Sequence, residues 1–587
     1  MFSTPGPFAA VSRLVTSPHT RTPVFLAIAV LVTAIAAGMT FRRAVTPWSS
    51  LPDSDYWGNI SGLITESGVR LSLANLFRHN NEHIVVIPKL IYAANYLATS
   101  GSNTGLIVYS LVVGIVCTGL LLALARELLL DTPWRLALCA LLFPLVMFSA
   151  KLTHSYFLGM SGTIWLTADL FVIVSAAALA RAVTGESAPW LLVSLFAGML
   201  GVLAYSTAVY MLIVLVIFCL AKLLAPKLPG PGPRPLLLGT AAAALLVLGL
   251  GAAFRNAPKA KPDLAFDLVG LVEFVLIYLG NALTTGPLRI VAGILILATG
   301  AASIWRLAAE RRIEESLLWV ILFFFAPFNA LMTGIGRLGY GVKIAATSRY
   351  QSVTAITLIA TIVLVLAALP KGAVSRRAAR LRAIAFGALL VCAAIIALDR
   401  SYVANYTARN ERKVVAEIAL RQGIEGNQHL KAATPAFPQL KRSIPMLRAA
   451  RHAPFHWRSR CEERLGQHIA EPTGPSAGRI ETLSAYKMSR GRGRALELSG
   501  WAERDGTAAE CVILVDGAGT AIGAGAFVTR RADVEQAAAR SLGLVGWKGV
   551  AAMPTSSPVC AFALFPDESE PVPLADCQAV AASAAAP

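Results

Sequence analysis

Residues 51–88, LPDSDYWGNISGLITESGVRLSLANLFRHNNEHIVVIP, form a polar island in a chain that is otherwise mostly apolar. Asp53 and Asp55 stand there one residue apart, followed by Glu66, Arg70, Arg78, His79, Glu82 and His83. An apolar run near 24–41 precedes the island, and Pro88 and Lys89 open another behind it. Further runs lie near 104–125, 134–150, 157–180, 188–204, 206–225, 236–254, 289–305, 316–333, 351–369 and 383–399. Each holds roughly 17–24 residues, enough to cross a hydrocarbon core of ~30 Å. This pattern predicts a polytopic α-helical membrane protein of about 11 transmembrane helices, with the island as its chemical centre.

Composition points the same way. Of 587 residues, 56% are hydrophobic and 14% charged, more apolar surface than a soluble fold of this length can bury. The net charge of +19 is read as loop cations and headgroup contacts, not as a nucleic-acid footprint. Basic clusters at Arg126/Arg135, Arg181, Lys222/Lys227/Arg234, Arg306/Arg311/Arg312 and Lys371–Arg382 fall on one side of the alternating runs. By the positive-inside rule that side is the cytoplasm. Residues 42–103 become the first extracytoplasmic loop of a membrane domain covering 1–400, and the C-terminal part is extracytoplasmic too. The first run, followed by Phe41-Arg42-Arg43, reads as an uncleaved span. Residues 84–99 and 268–285 are short or carry polar groups, and are expected to lie at the outer interface.

Beyond residue 400 the texture changes. Residues 401–490 mix helical and irregular patterns, and 491–587 hold strand-like runs such as AECVILVDGAGTAIGAGAFV, expected to form a small β-sandwich. Cys117, Cys139, Cys219 and Cys392 sit in apolar runs, whereas Cys461, Cys511, Cys560 and Cys577 sit in the tail. Two disulfides are expected there, Cys511–Cys560 between strands and Cys461–Cys577 across the domain ends being the favoured pairing.

Three motifs carry candidate chemistry. Asp53 and Asp55 suit chelation of a divalent cation (Mg or Mn), or general-base work with one carboxylate orienting the other; they equally suit capping a helix that starts near Tyr56. His79-Asn80-Asn81-Glu82-His83 has the H-x-x-E-H spacing of inverted zinc proteases, but two asparagines are weak helix formers and no third ligand follows. Glu82 and His83 fit better as a polar wall contacting sugar or phosphate. Arg337, Lys343, Arg349 and Tyr350 share a loop on the expected extracytoplasmic side, where cations are disfavoured, so a lipid-linked phosphate is their natural partner; Lys89 is a weaker candidate for the same role.

The pattern DSDYWG, then HNNEHIVVIPKL, resembles the first loop of the GT-C superfamily of membrane glycosyltransferases. TGIGRLGYGVKIAATSRYQS (333–352) is similar to a late loop of bacterial members, and LSGWAERDG with VILVDGAGTAIGAGAFVTRRADV to a sandwich domain appended to such enzymes. The resemblance implies transfer of a sugar from a polyprenyl-phosphate donor to an envelope glycan, lipid or protein acceptor. It implies that one of Asp53 and Asp55 is the base, and the expected arrangement is Asp55 helped by Asp53. Two other functions are a polysaccharide ligase or polymerase, which does not need the acidic pair, and a lipid-linked glycan transporter, which calls for more intramembrane charge than Asp169.

Overall fold

A computed structural model describes residues 18–80, 83–225, 228–255, 267–370, 387, 401–434, 437–472, 474–489, 493–538 and 540–580. Glu82, Cys392 and all of the expected span at 383–399 except residue 387 lie outside them. The chain divides into two compact units, one of residues 1–42, 76–88 and 107–403, the other of 43–75, 89–106 and 404–587.

The first unit is helical. Eight helices among the described residues are long and apolar enough to cross a membrane: Phe25–Ala44, Asn103–Leu129, Pro133–Phe157, Gly159–Thr184, Ser206–Leu224, Leu288–Ala309, Leu317–Tyr340 and Ser348–Ala368. This is a multi-pass architecture, and eight of the eleven expected runs are such helices among the described residues. Ala188–Ala204 and Leu268–Gly280 form shorter apolar helices of 17 and 13 residues, and within Pro233–Arg255 only Arg234–Leu246 qualifies as one. At ~1.5 Å per residue the 13 residues of Leu268–Gly280 fall short of the hydrocarbon thickness, while the 17 of Ala188–Ala204 stand at its lower limit.

Ser348–Ala368 is the innermost helix, its apolar window 94% buried against 17% for Phe25–Ala44. Backbone groups freed inside the bundle are re-satisfied locally. Pro327 sits within Leu317–Arg337, and one turn away the Thr357 hydroxyl accepts from Ala326 N (3.0 Å) and donates to Leu322 O (3.1 Å). Arg135 donates to the terminal carbonyls Leu369 O and Pro370 O, both at 3.0 Å. Leu268–Gly280 and Leu288–Ala309 approach so closely that a Cβ on Gly280 would strike Arg289 O, and one on Gly293 would strike Leu276 O. Only glycine permits that spacing.

The second unit joins the loop after the first apolar helix to the C-terminal residues. Its loop holds the hairpin β1 (Ile64–Thr65) and β2 (Gly68–Val69). The C-terminal strands are β3 (Gly478–Lys487), β4 (Arg494–Arg504), β5 (Thr507–Ala508), β6 (Cys511–Val515), β7 (Ala521–Thr529), β8 (Gly546–Ala552), β9 (Cys560–Leu564) and β10 (Val572–Pro573). They form one antiparallel sheet in the order β10-β9-β6-β7-β8-β4-β3, with β5 on β4, rather than the two layers of a sandwich. Alternation along β6 explains why one sheet is stable. Cys511, Ile513 and Val515 join a core with Val414, Val415, Ile418 and Ala419 of the Ser401–Gln422 helix. Val512 and Leu514 join a second core with Leu496, Leu498, Trp547 and Phe565. The helix therefore covers one face, where a second sheet was expected, and strand period 2 serves both faces.

The disulfides are Cys461–Cys511 and Cys560–Cys577, which corrects the expected pairing. Register gives the reason. Cys511 faces Leu564 while Cys560 faces Val515, so the two cysteines lie at opposite ends of the β6–β9 ladder. Four residues of strand span ~13 Å, beyond the ~7 Å Cα limit for a bridge. Cys117, Cys139 and Cys219 are buried free thiols.

Candidate functional site

In the second unit the acidic pair is split by its own backbone. Ser54 adopts a left-handed conformation (φ 54°), held by Ser54 N donating to Ala433 O (3.2 Å) and Thr434 Oγ1 donating to Ser54 O (3.0 Å). Such a conformation costs a non-glycine residue on the order of 1 kcal/mol, which these bonds offset. Asp53 is fully buried, while Asp55 is exposed at the start of the Tyr56–Ile60 helix, where its side chain makes no capping bond.

Asp53 is neutralised by helix Ser401–Gln422. Arg409 donates to Asp53 Oδ1, and Lys413 Nζ lies 3.8 Å from Oδ2. Burial lowers the Lys413 amine below its ordinary range, and the Asp53 charge opposes that shift. Four residues further, Glu417 accepts from Ser49 Oγ (2.8 Å), Ser50 N (3.0 Å), Ser50 Oγ (2.6 Å) and Arg421 Nη1 (2.6 Å); Arg421 Nε then donates to Glu462 (2.8 Å). Arg409, Lys413, Glu417 and Arg421 recur every fourth residue and so share one helical face. One carboxylate between two cations and another exposed do not fit chelation of a shared divalent ion. Among the described residues no group of three or more His, Cys, Asp or Glu could hold a metal.

The same loop is anchored by His452. Its Nδ1 lies 2.7 Å from Ala453 O, a carbonyl that only accepts, so Nδ1 carries the proton and Nε2 accepts from Tyr56 OH (2.9 Å). Burial pulls the His452 pKa down to about 4, keeping the ring neutral. Lys89, a candidate phosphate contact, is buried and donates to Asn75 O at 2.9 Å.

The first unit gathers the other candidates. Tyr205 ends the Ala188–Ala204 helix in extended backbone, bringing its hydroxyl 3.0 Å from His83 Nε2, while Ser206 Oγ lies 2.8 Å from Nδ1. From there aromatic rings run inward: Tyr205 against Trp165 (centroids 4.5 Å), Trp165 against Tyr350 (5.8 Å), Tyr350 stacked on Tyr278 (4.9 Å). Arg349 lies over the Tyr350 ring at 5.2 Å and donates Nε to Thr347 Oγ1 at 3.3 Å. Among the described residues no carboxylate pairs with Arg349. Asn281 donates to Ala346 O (2.9 Å), tying this loop to the end of Leu268–Gly280. Lys343 is exposed on the same loop, whereas Arg337, expected there too, is the half-buried last residue of the Leu317–Arg337 helix.

His83, Arg349 and Tyr350 thus meet in one aromatic cluster. Trp165, Tyr205 and Tyr278 complete it although no motif pointed to them, since single aromatics in apolar runs are indistinguishable from packing residues in sequence. Chemically, a cation at the rim of aromatic walls suits a phosphate attached to an apolar chain or a sugar. No protein-family model, no curated protein and no solved structure matches this chain.

Proposed function

We propose that this chain is a bacterial inner-membrane glycosyltransferase of GT-C type, moving a sugar from a polyprenyl-phosphate donor to an envelope glycan, lipid or protein. The observation that carries the reading is Arg349, a guanidinium above an aromatic ring with no carboxylate to neutralise it among the described residues. A lipid phosphate supplies the missing anion through charge-assisted hydrogen bonds, with Lys343 adding a mobile charge. In the reaction the acceptor hydroxyl attacks the anomeric carbon, Asp55 takes its proton, and the polyprenyl phosphate leaves with the bonding electron pair. The cations stabilise the charge that grows on the leaving group. In this topology the active face and residues 401–587 are extracytoplasmic.

Sequestration of Asp53 between Arg409 and Lys413 favours a second reading, a polysaccharide ligase or polymerase, which needs the basic loop but no acidic pair. Donor binding tests what the two share. Arg349→Ala should weaken binding of a polyprenyl-phosphate sugar by about ten- to a hundred-fold. Arg306→Ala, which removes a cation already paired with Glu310 at 3.0 Å, should leave it unchanged. Equal affinities in the two variants would exclude Arg349 as the phosphate contact.

A further inference from the structure

Behind the aromatic cluster lies a group of buried polar atoms without hydrogen-bond partners. Neither carboxylate oxygen of Asp169 has one, nor do Tyr278 Oη, Tyr350 Oη, Gln351 Nε2 and Ser352 Oγ. All five residues are at most 3% exposed. Asp169, Tyr278, Tyr350 and Ser352 form one neighbourhood, with Gln351 between the last two in the chain. Trp165 and Asp169 are one turn apart on Gly159–Thr184 and share a face. Tyr278 lies within electrostatic reach of Asp169, Tyr350, Tyr205 and Arg349. The Ser352 hydroxyl stands beside the Asp169 carboxylate.

Leaving a buried polar group unpartnered is destabilising, and leaving a carboxylate so more strongly. Five residues in one place carrying such groups exceed what packing alone would retain, because phenylalanine and leucine would fill the space without the penalty. Their chemistry is complementary to a polyol. Asp169 offers two acceptors, Gln351 a donor, and three hydroxyls do either. Trp165, Tyr205 and Tyr350 add apolar ring faces of the kind that pack against the C–H face of a pyranose. Arg349 marks the phosphate end of the cluster and Asp169 the inner end.

We propose that Asp169, Tyr278, Tyr350, Gln351 and Ser352 form a buried hydroxyl-binding subsite that receives the sugar ring of the lipid-linked donor. This deepens the glycosyltransferase reading and rests on it. Asp169 acts here as a specificity residue, hydrogen-bonding the ring hydroxyls, while Arg349 holds the phosphate.

Binding of farnesyl phosphate, bare and carrying a pentose or hexose, to the purified full-length protein separates the two roles. The native protein should bind at least one glycosylated form ten-fold or more tighter than the bare lipid phosphate. Asp169→Asn keeps the shape but turns one acceptor into a donor, and should erase that preference while leaving bare-lipid affinity within two-fold. Arg349→Ala should weaken both ligands alike. Tyr350→Phe and Ser352→Ala, which delete single hydroxyls, should each reduce the preference several-fold and carry the test if Asp169→Asn does not fold. Equal binding of bare and glycosylated lipid by the native protein would mean that water satisfies these groups, overturning the subsite while leaving the phosphate site standing. Binding of neither lipid would overturn both readings.

Discussion

Replacing each aspartate of the Asp53-Ser54-Asp55 turn by asparagine separates a structural carboxylate from a chemical one. Asp53→Asn keeps the shape but leaves Arg409 and the buried Lys413 facing each other without their anion. Breaking a buried pair from one side costs about 3–5 kcal/mol, so this variant should lose folded protein, with any loss of transfer tracking the loss of fold. Asp55→Asn is a near-isosteric change at an exposed side chain that makes no cap and should melt like the native protein. Transfer by Asp55→Asn should fall by ~10²–10⁴, because the amide cannot take the acceptor's proton. Thermal denaturation and transfer kinetics on both variants check the pair; a fully active Asp55→Asn would remove the base and shift the balance to the ligase reading.

At the scale of elements, the loop after the first apolar helix is fastened twice at the start of the Tyr56–Ile60 helix, by the Asp53 ion pairs and by Tyr56 with His452. The second fastening is sensitive to acid. A free histidine titrates near 6.5, whereas folded His452 titrates at about 4, so the unfolded chain takes up the proton first. The contribution is complete above pH 6.5 and is lost as pH falls toward 4, by up to about 3 kcal/mol. Hydrogen exchange over residues 56–60 and 452–455 should therefore quicken across that window. His452→Gln, which retains an acceptor for Tyr56, should flatten the dependence, and an unchanged pH slope would discharge His452 from this role. Elements were legible in sequence to the extent that their signal is local. Apolar runs marked the long helices, and alternation in CVILV marked β6. Non-local facts were not. The repeat Arg409, Lys413, Glu417, Arg421 is visible in the chain, but its partners Ser49, Ser50 and Asp53 lie hundreds of residues away. A strand buried on both faces equally announces a second sheet or a covering helix, and here the cover is Ser401–Gln422. The disulfides escaped for a related reason, because spacing says nothing of the register that puts Cys511 opposite Leu564.

For the whole molecule, the disulfides and the loop cations bear on one question, the side of the membrane that residues 401–587 occupy. Cys461–Cys511 and Cys560–Cys577 are a pairing suited to an oxidising compartment, and the buried Cys117, Cys139 and Cys219 are poorly placed to react with an aqueous reagent. A single new thiol at the exposed Ser476 therefore gives a clean reporter without removing any native cysteine. In intact cells of a Gram-negative host with a permeabilised outer membrane, Ser476→Cys should label with a charged maleimide as fast as after lysis. The unsubstituted protein, run in parallel, sets the background from the remaining thiols. Labelling that appears only once the inner membrane is opened would place the C-terminal residues in the cytoplasm. The same result would turn the basic clusters at Arg181 and Arg306/Arg311/Arg312 outward and bring Lys343 and Arg349 to the cytoplasmic side, where cations are ordinary and Arg349 loses its value as a sign of lipid phosphate. Topology is thus a premise of the proposed chemistry, and the reporter thiol tests it independently of any activity.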